Sequence, residues 1–124
     1  MKTPVGYGLI ALTIAFTVAG QLLVKAGTRQ VGSFPTSPDA VPAFVLRALT
    51  TPAIVLGLAF AVIAAVAWIG AVSLTDISFA YPFMGLAIVL VLALAPLVFG
   101  EQVVVNRWIG VGIVCLGLII AAQR

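Results

Sequence analysis

Four apolar stretches separated by short polar breaks constrain this chain most: residues 5–24, 53–74, 77–99 and 108–122, with a further apolar triplet at 103–105. About 20 apolar residues in a helix cross about 30 Å of hydrocarbon, and the first three stretches reach that length. The fourth does so with Asn106 and Arg107 at an interface, where the Arg107 head group can snorkel to water. Backbone polar groups in hydrocarbon must be bonded within their own segment, so each stretch is expected to be a helix. The predicted fold is an all-α integral membrane protein, a four-transmembrane-helix bundle occupying residues 1–124 as one domain. Its helices are expected at about 5–25, 52–74, 77–99 and 104–122. Composition agrees, since 64% of the 124 residues are hydrophobic and 7% charged, and the mean hydropathy is +1.33, far from soluble domains.

The same composition excludes several function classes. A net charge of +3 is small and dispersed, without the basic run that a nucleic-acid partner would need. The chain has no histidine, and no Asp or Glu lies inside an apolar stretch. An enzyme is therefore not expected, for want of clustered carboxylates or a nucleophile and base, and no metal or cofactor is predicted. Cys115 stands alone in the fourth stretch, so neither an intrachain disulfide nor a cysteine metal cluster can form, and it reads as a packing thiol. Lys2 before an apolar run ending in Val18-Ala19-Gly20 has the outline of a secretory signal. The length of that run and its regular polar positions favour an uncleaved first helix instead.

Those polar positions are Thr13, Thr17, Gln21 and Lys25, one every four residues, which a helix gathers into a single ridge. Hydrocarbon satisfies none of them, so the ridge is expected to face protein, water or a ligand. Each also has a plainer explanation: threonine hydroxyls bond back to helical carbonyls, Gln21 suits interface depth, and Lys25 can snorkel. Beside the ridge, Gly6, Thr13, Gly20 and Gly27 recur every seven residues, a narrow seam of small side chains for close helix approach. The first helix is therefore expected at the centre of the bundle.

Gly27 and the prolines at 35, 38 and 42 mark residues 27–51 as a loop, within which 40–49 can form a short surface helix with Arg47 towards water. Thr51-Pro52 reads as an N-cap and first turn. Thr75-Asp76 is all that separates the second and third stretches, which predicts an antiparallel hairpin with Asp76 capping the third helix. Four spans put both termini on one side, so Lys25, Arg29, Arg47 and Arg107 oppose Lys2 and Arg124. This bias is too small to choose an orientation, and two opposed orientations in one membrane stay open.

In the third stretch Pro82 and Pro96 each remove an N–H and disturb the carbonyl four residues earlier, so kinks are expected at both. Tyr81 can line a cavity there or anchor at the interface, and Trp68 of the second stretch can line the same cavity or simply pack. Gly110 and Gly117 share one face of the fourth helix, a candidate dimer seam or a packing face within the monomer.

The run Gly20-Gln21-Leu22-Leu23-Val24-Lys25, then Trp68, Ala80-Tyr81-Pro82, Phe99-Gly100-Glu101 and the glycines from Gly110 to Gly117 resemble the drug/metabolite transporter superfamily. The likeness covers essentially the whole chain, and its short motifs gain weight from their shared order. It points to the EamA-like single-repeat proteins and the aminoarabinose-phosphoundecaprenol flippase subunits, and more distantly to small multidrug resistance proteins. The last have an essential helix-one glutamate that binds protons and cationic drugs, and Thr17 stands at its position. Threonine does not titrate, so proton-for-cation exchange is not implied, although Gly110 and Gly117 match the dimerisation motif of those proteins. The flippase-like relatives match at Gly20, Gln21, Lys25, Ala80, Tyr81 and Pro82.

The resemblance implies a small multidrug resistance-like fold working as a homodimer, or as a heterodimer with a paralogous subunit, in the bacterial inner membrane. The expected activity is movement of an amphiphilic anionic substrate such as a polyprenyl-phosphate sugar between leaflets. Lys25 would meet the phosphate, Gln21, Thr17, Thr13, Trp68 and Tyr81 would line the path, and Pro82 and Pro96 would act as hinges. Two rival readings stand beside it: export of a small cation or drug over Tyr81 and Trp68, and a non-transporting subunit of a glycosyltransferase or carrier complex.

Overall fold

The computed structural model describes residues 4–123, so Lys2 and Arg124, which entered the charge argument, lie outside the described residues. The element order is α1 (Pro4–Val31), a single 3₁₀ turn (Pro38–Ala40), α2 (Val41–Thr50), α3 (Pro52–Leu74), α4 (Ile77–Phe99) and α5 (Val105–Ala122). Among the described residues four helices, α1, α3, α4 and α5, are long and apolar enough to cross a membrane. The fold is a four-helix membrane bundle. α1 and α4 run one way, α3 and α5 the other.

α1 runs past the expected stop at Gly27. Its 28 residues measure about 42 Å at 1.5 Å per residue, about two turns more than the hydrocarbon needs. Gly27 is not a helix terminator here: a Cβ on it would collide with Ile54 of α3, so glycine is required for helix contact. The stop is Gly32, whose φ of 95° suits a residue without a side chain and whose N–H donates to the Thr28 carbonyl at 2.9 Å.

Gly6, Thr13, Gly20 and Gly27 are all buried. At the seam's centre α1 and α3 approach so closely that a Cβ on Gly20 would lie 2.9 Å from the Gly57 carbonyl oxygen, and one on Gly57 would lie 2.8 Å from that of Gly20. In a lipid solvent this close approach holds the pair by dispersion, because tails are as apolar as the side chains. A second contact of α1 is with α4, through a cluster that joins Ile10, Ile14 and Val18 to Ala80 and also takes in Ala71 of α3.

Connectivity predicts α3 and α4 as an antiparallel hairpin, and they form one without packing along their length. They turn back at Thr75-Asp76 but barely touch, and both lean on α1 instead. The small-residue seam makes α1 the better neighbour for α3. The expected caps differ: Thr51 and Asp76 occupy N-cap positions without a side-chain cap bond. The Thr51 hydroxyl donates back to the Arg47 carbonyl at 2.8 Å, while the Asp76 carbonyl accepts from the Ala80 N–H at 2.9 Å.

α2 lies over the ends of α1 and α3. Val41, Phe44 and Ala48 turn inward, Val45, Leu46 and Leu49 are exposed, and Arg47 projects on a different side, the pattern of a helix lying in the interfacial plane. α5 packs among the described residues on α4 alone and has no buried residue.

Candidate functional site: a groove along the polar ridge

Because α3 and α4 part beyond their turn, a groove of about 870 Å³ opens between them, with α1 as its floor and α5 at one margin. α1 contributes Thr13, Thr17, Gly20, Gln21 and Val24. The walls include Ala61, Ala64 and Trp68 from α3, Tyr81, Pro82 and Gly85 from α4, and Leu118 from α5. Near the α3–α4 turn the groove ends at Trp68 and Tyr81, whose rings meet edge to face with centroids 5.8 Å apart. A smaller, wholly apolar groove of about 300 Å³ lies between α4 and α5, and it shares Pro82 and Leu118 with the first.

The ridge residues are not equivalent. Thr13 is 2% exposed and its hydroxyl donates to the Leu9 carbonyl at 2.7 Å, so it offers the groove little polarity. Thr17 is half-buried and Gln21 exposed, both on the groove wall. Lys25 is not part of the lining. It stands one helical turn beyond Gln21, its Nζ 3.9 Å from Glu101 Oε2.

Pro82 reaches the groove and Pro96 does not, and α4 continues as helix through both. Gly110 and Gly117 are exposed, and a Cβ on either would meet nothing within 4 Å. The glycine face of α5 therefore does not pack within the protomer.

Two contributors were missed in the sequence. Arg29 donates from Nη2 to the Phe99 carbonyl at 2.6 Å and lies 4.8 Å from the centre of the same residue's ring. Glu101 follows Gly100, whose φ of 69° turns the chain out of α4. A signal for Arg29 was present, because the four-residue spacing of the ridge continues to it once α1 is not stopped at Gly27.

Over 116 residues, 94% of each protein, the chain is 32% identical to the probable 4-amino-4-deoxy-L-arabinose-phosphoundecaprenol flippase subunit ArnE of Serratia proteamaculans. The chain belongs to the ArnE family of flippase subunits. The ArnE of Hamiltonella defensa is 28% identical over 119 residues, 94% of this chain and 96% of that protein. No family model matches the chain, and no solved structure does. The likeness to ArnE proteins covers 94% of the chain, so most of the four crossing helices lies within the related region.

Proposed function

We propose that this chain is a subunit of a bacterial inner-membrane flippase for a polyprenyl-phosphate-linked amino sugar. The observation that carries the reading is its end-to-end similarity to an ArnE subunit, whose name specifies 4-amino-4-deoxy-L-arabinose-phosphoundecaprenol. The groove supports it: Thr17 and Gln21 line a polar path for a hydroxyl-rich headgroup, while Lys25 at its end offers a cation for phosphate. The apolar groove between α4 and α5 adjoins this path and suits the first isoprene units of the lipid.

The chain is not an enzyme in this reading, and it acts without intrinsic proton coupling, since no Asp, Glu or His lines the groove among the described residues. Transport is downhill or is driven by chemistry on the receiving face. Cation export over Trp68 and Tyr81 is less well supported, because a buried acid is what would offset the cation's desolvation. The exposed α5 face with Gly110 and Gly117 is the proposed seam to a second copy or a paralogous subunit.

The test is leaflet exchange of a labelled polyprenyl-phosphate sugar in liposomes containing this protein, alone and with its co-purified partner. Faster exchange that Lys25→Ala removes is expected. Proton movement driven by substrate would overturn the uncoupled reading. No exchange in either preparation, combined with a membrane glycosyltransferase that co-purifies and fails without this chain, would identify a non-transporting subunit.

A further inference from the structure

We infer that Lys25 and Glu101 form a divided site for a zwitterionic headgroup, Lys25 taking the phosphate and Glu101 the ammonium of an amino sugar. This rests on the reading that a lipid phosphate meets Lys25, and it assigns the residue that selects the sugar. The side chains of Lys25 and Glu101 are 53% and 41% exposed, and 3.9 Å is near the outer limit for an ion pair. Such a pair is weak and exchanges partners readily.

Its weakness matters because the structural tie between these elements lies elsewhere. Arg29 holds the Phe99 carbonyl at 2.6 Å, two residues before Glu101, and so keeps Glu101 beside α1 when Lys25 turns away. Of the chain's three acids, Asp76 lies at the opposite end of the bundle and Asp39 in the 3₁₀ turn, while Glu101 is the one paired with Lys25.

The charge logic follows from the pair. A phosphodiester arriving alone at Lys25 leaves Glu101 unpaired and repelling it. An ammonium on the same headgroup removes that penalty, since two ion pairs replace one and the site stays electrically neutral throughout. Glu101 thus disfavours lipid phosphates without an amine and favours those with one, which is selectivity by repulsion as well as attraction.

The experiment uses the full chain in nanodiscs and three probes: undecaprenyl phosphate, an aminoarabinosyl phosphoundecaprenol, and its N-acetylated form. The unmodified chain is expected to bind the free amine more tightly than the acetylated lipid by about threefold or more, in the range of exposed charge pairs. Glu101→Gln should abolish that preference and tighten undecaprenyl phosphate by a similar factor of about three. Lys25→Ala should weaken all three probes. If Glu101→Gln retains the preference for the amine, or weakens every probe equally, the divided site is overturned. If Lys25→Ala leaves every affinity unchanged, the phosphate reading itself fails. Melting temperatures of both variants separate binding effects from unfolding.

Discussion

Arg29 and Phe99, 70 residues apart, tie α1 to α4: a guanidinium bond of 2.6 Å to the main-chain carbonyl, with the same cation 4.8 Å from the ring centre. The Phe99 carbonyl belongs to the last turn of α4, where helical acceptors lack partners and the dipole favours a cation. A residue near the end of the first helix thereby completes the end of α4.

Arg29→Ala should destabilise the protein by about 1 kcal/mol, because a charge-assisted bond at an exposed site is lost while water replaces part of it. Thermal unfolding in detergent measures the loss. Hydrogen exchange should rise locally at residues 99–104. Arg29→Lys should recover only part of the effect, since a point charge lacks the planar group that stacks on Phe99.

The glycines separate into two classes by what surrounds them. Gly20→Ala places a methyl carbon 2.9 Å from the Gly57 carbonyl oxygen, and backbone must move, so a cost of about 1–3 kcal/mol is expected. Gly8→Ala meets nothing within 4 Å and should be neutral within about 0.5 kcal/mol. Gly110→Leu and Gly117→Leu start from positions where a Cβ also meets nothing within 4 Å in the protomer. They should spare its fold while reducing subunit association, read by cross-linking or single-molecule photobleaching in nanodiscs.

Thr13 and Thr17 should respond differently to the same substitution. Thr13→Val removes a hydroxyl that is already bonded to the Leu9 carbonyl on a residue only 2% exposed at the groove, so leaflet exchange should stay within about twofold of the unmodified protein. Thr17→Val removes a polar group from the groove wall and should slow exchange by about threefold or more. Thr17→Glu sets a negative charge against the headgroup phosphate and should lower undecaprenyl phosphate binding by at least about tenfold. Equal responses at the two threonines would mean that the ridge does not act as the headgroup path.

The spans and the α1 ridge were legible because hydropathy and helical periodicity are local properties of the chain. The seam from Gly6 to Gly27 was legible for the same reason, and all four of its members are buried. Stopping α1 at Gly27 hid the fifth ridge position, Arg29, because a glycine that signals a stop and one that admits a neighbouring helix look alike in sequence. Only Ile54 packed against Gly27 tells them apart.

Sequence by itself determined that this is a four-helix membrane protein with one polar stripe on its first helix, since apolar length and residue spacing suffice for both. Tertiary structure alone decided where the stripe leads. Close packing of Gly20 on Gly57 makes α1 the neighbour of α3, parts α3 from α4, and opens the groove along Thr17 and Gln21. The packing of α4 on α1, with Arg29 on the Phe99 carbonyl, brings Glu101 to Lys25. No local pattern encodes these contacts, because they depend on which helix faces fit most closely when the lipid gives neither face a preference.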